Sequence, residues 1–539
     1  MAISLPLDST AVGQADDVLY CANQHEPALF DGQGGRLPLS ATDPDQQHLR
    51  DMWCELYEDI VAHNRDGSRP FPACGMGHPH HPGDCGHCAG TAPPADAPST
   101  NPPQDDPTCD PVGPVEECPL EDELPPEPTI RIRASMFFDG TGNNRTNVDL
   151  GAGANDSDSY GASHSNVSLL EAAGIGECDP ELTEHFSLYV EGPGTTNRGD
   201  DDNRGSATGT GTTGVKEKVH AGVNALLARI RAIATPGGDP IEYIHLDAFG
   251  FSRGAAGARF FVHYAVNDAA TAIKTVLTNE GYDVGEVKVK FLGLYDTVAS
   301  YGAAHYNDTA DLSLDAISVA ERVVQLSAAE EHRVNFRLTN INSAGGKGTH
   351  IYLPGVHSDV GGGYATTSDE DDLQIFDIDS AGWNSDEQEA AILRERTWLL
   401  DSGWYLADQI ADTNFWNEVH VTRRNLPNTY QRIPLHIMAT YARMGGVPLS
   451  PDVENASPIP SALRTAHTAI TTAVSAGSCG TPRAWFGNNP AVDPAWHKTL
   501  RNTHLHFSSY YQATYGQMHP QFTGGDPVNG RRQRIVQNG

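Results

Sequence analysis

From Thr129 onward the chain alternates between two hydrophobic rhythms. The segment TIRIRASMFF places Ile130, Ile132, Ala134 and Met136 at every second position, the signature of a strand. FSLYV (186–190), IEYIHLDAF (241–249), VKVKFLGLYD (287–296) and HIYLPG (350–355) are further strand candidates. Between them the period lengthens. Val215, Val219, Val223, Leu226, Leu227, Ile230 and Ile233 form one helical stripe, GFSRGAAGARFFVHYA leads into a second helix, and a third is expected across Ser313–His332. Apolar strands alternating with helices predict a mainly parallel α/β sheet covered on both faces, which is an α/β-hydrolase-like fold over 129–380. Past residue 380 the pattern turns helical and aromatic, with Trp383, Trp398, Trp404 and Trp416. This predicts an appended, mostly helical region over 381–539 whose tryptophans serve as core, or else sit at a lipid interface or in lid elements.

The first quarter differs in kind. Residues 1–127 carry four Arg, no Lys and 23 Asp plus Glu, a balance of −19 within a chain total of −35. They also hold seven of the nine cysteines, and 16 of the 36 prolines lie between Pro70 and Pro128. A short helix is expected at HLRDMWCELYEDIVAH, and residues 89–128 read as an extended linker. Residues 1–88 thus form an acidic Cys/His-containing region distinct from the rest of the chain. Within it, CGMGHPHHPGDCGHC offers Cys74, His78, Cys85 and Cys88 as a structural zinc set, although the spacing is not that of a standard finger, the Pro-rich surroundings favour neither metal nor disulfide, and disulfides stay open in an oxidising compartment. So acidic a chain repels nucleic-acid phosphates, which argues against a nucleic-acid partner. No apolar run is long enough to span a bilayer, so any membrane contact is expected to be peripheral. MAISLPLDST lacks the basic and apolar segments of a classical signal peptide.

The chemistry concentrates at Gly250-Phe251-Ser252-Arg253-Gly254, a G-x-S-x-G between a strand and a small-residue helix. That context predicts a strained turn that lifts the Ser252 hydroxyl above the sheet, with the Arg253 N–H facing a developing oxyanion. The alternative is an ordinary strand-to-helix turn with an incidental serine. A serine needs a base and an orienting acid, which in this fold follow in the order Ser, Asp/Glu, His at strand ends. Asp296 ends a strand 44 residues after the serine, and His357 follows the strand HIYLPG. Asp247 and Asp359 compete for the acid, and His332, His436, His504 and His506 for the base. Asp296 also fits a helix N-cap, and His357 a loop histidine held by Asp359. The first strand ends in FFDGTGNN, where Gly140 and Thr141 are candidates for the second oxyanion donor. Asp139 is suited to orienting that loop or holding a cation, unless this is a plain Asx-turn. GSATGTGTTG (205–214) lacks the Lys-Ser/Thr of a phosphate-binding loop, and Gly361–Gly363 allows a close backbone turn behind His357.

Taken in order, FFDGTGNN, GFSRGA, LYDTV and GVHSDVGGGY resemble the α/β-hydrolase family that includes the group-one lipase effectors of type VI secretion, over roughly residues 130–370. The resemblance implies Ser252 as nucleophile, Asp296 as acid and His357 as base, and implies that the N-terminal region is a docking or adaptor segment; the residue reading adds Gly250, Gly254, Asp139 and Asp359 as support for the site. It also implies a phospholipase that cleaves acyl esters of glycerophospholipids without cofactor or metal, is secreted into a rival cell's periplasm, and has a spike protein and an immunity protein as partners. The first 127 residues have no counterpart in that resemblance. Two other readings stand beside it, a secretion-linked adaptor using the fold as scaffold and an esterase of soluble substrates.

Overall fold

The computed structural model describes residues 128–176, 180–302, 309–377, 385–411, 418–482, 485, 493–511 and 518–539, together with Ala28–Phe30 and Arg36–Pro38. The chain divides into two units, Met1–Pro125 and Pro126–Gly539. Of the first, only an antiparallel pair, Ala28–Phe30 with Arg36–Pro38, falls among the described residues. The expected helix, the linker and the Cys74, His78, Cys85, Cys88 set all lie outside them.

The second unit is built on six parallel strands: β1 (Ile130–Phe138), β2 (Glu184–Val190), β3 (Ile241–Phe251), β4 (Val284–Tyr295), β5 (Arg322–Ala328) and β6 (Gly348–Leu353), in the spatial order β2-β1-β3-β4-β5-β6. The fold is α/β-hydrolase-like. The even and odd side chains of β1 to β5 feed two separate cores, as a sheet covered on both faces requires. On one face Met136, Ala248 and Leu292 pack under α1 (Val215–Ile233), with its stripe of Val219, Val223, Leu226 and Ile230, and under α2 (Arg253–Val262). On the other, Phe137, Phe249 and Phe291 stack across three strands, with Phe137 and Phe249 centroids 4.7 Å apart. That face shares its core with α3 (Arg432–Met444) through Ile433, Met438 and Ala442. The stretch beyond residue 380 therefore closes one side of the sheet. Trp404 is fully buried there and Trp398 packs against the same core, while Trp383 and Trp416 are not among the described residues.

Two elements differ from the sequence expectation. Only Leu314–Val319 of the helix expected over Ser313–His332 is helical, as a 3₁₀ turn, and β5 follows it. The β-branched pair Val323-Val324 and full burial on both faces favour a central strand over a helix there. Thr367–Phe376 and Val419–Pro427 form an antiparallel pair outside the central sheet, tied by the buried ion pair Glu370–Arg423.

Register brings the chemistry together. Phe138 pairs with Gly250, Phe251 with Tyr295, and Tyr295 with Leu326, so the carboxyl ends of β1, β3 and β4 finish level. Ala328 pairs with Leu353 two strands on. Asp139, Ser252, Asp296 and His357 thus leave the sheet along one edge, where ligands of open α/β sheets bind.

Candidate functional site

Ser252 has φ 57° and ψ −125° between β3 and α2, a left-handed conformation that costs a side-chain-bearing residue about 1–3 kcal/mol. The surroundings hold it there. Its N–H donates to the Tyr295 carbonyl at 3.0 Å, and the Val298 N–H donates to its carbonyl at 3.3 Å. The motif glycines are needed for close approach. A Cβ on Gly250 would stand 2.5 Å from the Ala255 Cα, and one on Gly254 would stand 2.1 Å from the Asp139 carbonyl oxygen. The helix can follow the strand this sharply, and lie this near the first loop, only without those carbons.

Asp296 also has a positive φ, 46°, where β4 ends. Its carboxylate is fully buried and saturated. Oδ1 accepts from the Ala328 N–H at 2.8 Å and Arg534 Nη1 at 2.6 Å, while Oδ2 accepts from Arg534 Nη2 at 2.8 Å and lies 2.5 Å from His357 Nδ1. Burial alone would raise this carboxyl, but Arg534 and His357 outweigh it and hold it at about 2. His357 opens a short turn after β6 and is itself buried. Its N–H donates to Glu331 Oε2 at 3.2 Å, and Glu331 is paired with Arg333. Burial lowers the imidazole below its ordinary 6.5, against the opposing pull of Asp296.

The ring of Phe251 joins these loops. It lies 4.7 Å from the His357 ring, and Phe336 is edge-on to the same imidazole at 4.9 Å. A Cβ on Gly140 would stand 2.4 Å from the Phe251 ring, and one on Gly361 only 1.9 Å. The first loop, the elbow and the histidine turn are thus packed around one benzyl group.

In the first loop Asp139 accepts from Tyr189 Oη at 2.6 Å and from the Gly140 N–H at 2.7 Å. Burial raises its carboxyl, opposed by these bonds and by Ser165. The loop-orienting expectation for Asp139 has this geometry behind it. The Gly140 amide, however, is occupied by that carboxylate and so is not open as an oxyanion donor here. Thr141 keeps its Oγ1 buried without a partner among the described residues. Arg253 begins α2, where its N–H belongs to the unpaired first turn. Its guanidinium bonds the Ser206 carbonyl, has no partner for Nη1 among the described residues, and is lowered by burial to about 10.

The competing residues are engaged elsewhere. Asp247 is bridged by Arg133 at 2.8 and 2.9 Å. Asp359 accepts from the Val356 N–H at 3.0 Å and pairs with His506 Nδ1 at 2.7 Å, so it braces the histidine turn rather than His357 itself. His332 packs edge-on to Trp398, and burial lowers it to about 4. His436 Nε2 lies 2.8 Å from the Ser457 carbonyl, and His504 Nδ1 lies 2.7 Å from Thr503 Oγ1. Sequence reasoning passed over Arg534, Glu331, Arg333 and Phe251. Their roles arise from contacts across distant chain, and only Phe251 sits inside a recognisable motif. Among the described residues no group of His, Cys, Asp and Glu is arranged to hold a metal ion.

Comparison with known proteins agrees with the motifs. Residues 264–379 match the family model described as the Tle1-like catalytic domain of type VI secretion phospholipase effectors. The solved structure of the Tle1 effector bound to the VgrG spike of the type VI secretion system is 21% identical, with a TM-score of 0.52 over 79% of this chain and 99% of that one. An uncharacterised protein from Pseudomonas aeruginosa is also 21% identical, over 66% of this chain and 52% of that one, with a TM-score of 0.36. No curated protein matches. The resemblance to type VI lipase effectors holds, and a lipolytic hydrolase is the coarse class it carries.

Proposed function

We propose that the unit spanning 126–539 is a serine esterase that hydrolyses acyl esters of glycerophospholipids. The observation carrying this reading is the 2.5 Å contact of His357 Nδ1 with Asp296, at the same edge of the sheet as a serine held in a strained elbow. The contact fixes the imidazole tautomer with its proton on Nδ1, leaving Nε2 as the base. Ser252 Oγ attacks the ester carbonyl as its proton passes to His357. The N–H of Arg253 and the turn at Thr141 receive the oxyanion, aided by the positive end of α2. The tetrahedral intermediate collapses, His357 protonates the leaving alkoxide, and the acyl group stays on Ser252. Water, deprotonated by His357, then attacks the acyl-enzyme and releases the fatty acid. No cofactor enters these steps.

The family match and the spike-bound relative support delivery by type VI secretion as an antibacterial effector, with a spike protein as carrier and an immunity protein in the producing cell. The acidic first 127 residues are the natural candidate for docking. Among the described residues no helix is long and apolar enough to cross a membrane. In this reading the lipid is met at the membrane surface. Incubation with mixed phospholipid vesicles, read by lipid mass spectrometry, should yield lysophospholipid and free fatty acid. A fluorophosphonate probe should label Ser252. Labelling without lipid cleavage would point to the soluble-ester reading, and no labelling to the scaffold reading.

A pH dependence follows from the imidazole. Because burial lowers His357, the neutral base persists to lower pH than in a free histidine. The acid limb of kcat/KM should have its midpoint below 6.5, and a midpoint at or above that value would contradict the assignment of the base.

A further inference from the structure

In the catalytic scheme above, the orienting aspartate answers to the histidine. Here it also answers to an arginine 238 residues further along the chain, and the arginine holds it with two bonds. Arg534 places Nη1 on Oδ1 and Nη2 on Oδ2 of Asp296, the parallel fork that a guanidinium makes and an ammonium cannot. Two of the three remaining donors fix the fork. Nε donates to the Phe336 carbonyl at 3.0 Å, and Nη1 also donates to the Ala328 carbonyl at 3.0 Å. The backbone around it is pinned as well. Val536–Gln537 pairs in parallel with Leu338–Thr339, and the Leu338 N–H donates to the Ile535 carbonyl at 2.9 Å. Phe336, whose carbonyl anchors the guanidinium, lays its ring edge-on against the His357 imidazole. Arg534 thus reaches both members of the His–Asp pair, one by charge and one through the segment it ties down.

We propose that Arg534 is a positioning residue of this site: it locks the Asp296 carboxylate in line with His357 and offsets its charge, so that the imidazole works as a base at lower pH than a plain His–Asp pair would allow. This rests on the reading of Ser252, His357 and Asp296 given above. The physical reason is a competition for one negative charge. A carboxylate free to serve the histidine alone stabilises the imidazolium and postpones its deprotonation. A carboxylate already bridged by a guanidinium gives the imidazolium less. The other charges near the pair come from every side. Glu331 and Arg333 follow β5 and act on His357 with opposite signs, while His350 and Tyr352 of β6 are electrostatically coupled to Asp296 and Arg534. Glu331 and Arg333 form their own 2.9 Å pair, and Glu331 also feels the Arg534 charge. Arg534 is therefore the charge whose removal leaves Asp296 answering to His357 alone.

The test is the rate at which a fluorophosphonate labels Ser252, measured against pH in the full chain and in the variants R534Q and R534K. This readout needs no knowledge of the lipid. In R534Q the acid limb should move up by about one pH unit, making labelling about tenfold slower than wild type at pH values well below both limbs, with a smaller gap above pH 8. In R534K the charge remains while the fork is lost, so the limb should stay near its wild-type position and the plateau rate should fall. Coincident limbs in R534Q and wild type would overturn the proposal, whatever the plateau, because a merely structural arginine lowers the rate at every pH alike. A limb in R534K displaced as far as that of R534Q would overturn it too. Should R534Q fail to fold, R534M, which keeps the stem and removes the charge, takes its place under the same criterion: a limb raised relative to wild type supports the proposal, and coincident limbs overturn it. A wild-type chain that takes no label would remove the nucleophile itself and this proposal with it, whereas a labelled wild type with an unmoved R534Q limb removes only the role of Arg534.

Discussion

Replacing Ser252 by alanine is expected to lower phospholipid hydrolysis by about 10⁵- to 10⁶-fold, with the fold intact. The size follows from the scheme, since without Oγ no acyl-enzyme forms and only general binding and the oxyanion donors remain to assist attack by water. The fold should survive because the hydroxyl makes no hydrogen bond on which the elbow depends. The turn is held by the backbone bonds to Tyr295 and Val298 and by the close packing at Gly250 and Gly254. Turnover of a phospholipid, together with an unchanged thermal unfolding midpoint, checks both halves. Activity within tenfold of wild type would remove Ser252 as the nucleophile.

The second large effect falls on both chemistry and stability. Asp296→Asn should lower kcat by about 10⁴-fold, because an amide beside Nδ1 no longer holds the imidazole in the tautomer that leaves Nε2 free. It should also destabilise the fold by about 3–5 kcal/mol, since Arg534 would be left buried without its counter-charge. Arg534 is only 5% exposed, so water offers it little compensation. Denaturant unfolding of the variant would measure the second effect and single-turnover acylation the first. A variant as stable as wild type would mean that the guanidinium finds another partner, and one with unimpaired acylation would remove Asp296 from the relay.

Much of this arrangement was legible in the linear chain. The alternation in TIRIRASMFF and the Val/Leu/Ile stripe of α1 reported directly on burial, so those elements appeared where their side chains demanded. The elbow could be read because its glycines answer to a local clash of backbone with backbone. β5 was hidden because VVQLSA is short and apolar on both faces, and such a run has no period to distinguish strand from helix. The occupied Gly140 amide was hidden for another reason. Whether an N–H is free depends on the rotamer of the neighbouring Asp139, which composition does not disclose. Arg534 left no trace because its meaning lies in a contact across 238 residues. In RRQR it reads as one more solvated cation.

The benzyl group of Phe251 has a consequence for anyone redesigning this scaffold. Three loops that look like independent modules in the linear chain share one aromatic pivot, and two of them touch it through glycines that leave no slack. Loop grafts that aim to change acyl or headgroup preference will transmit any sideways push straight to the imidazole. Diversification should therefore keep the residues at 140, 251 and 361 constant and vary the loops beyond them.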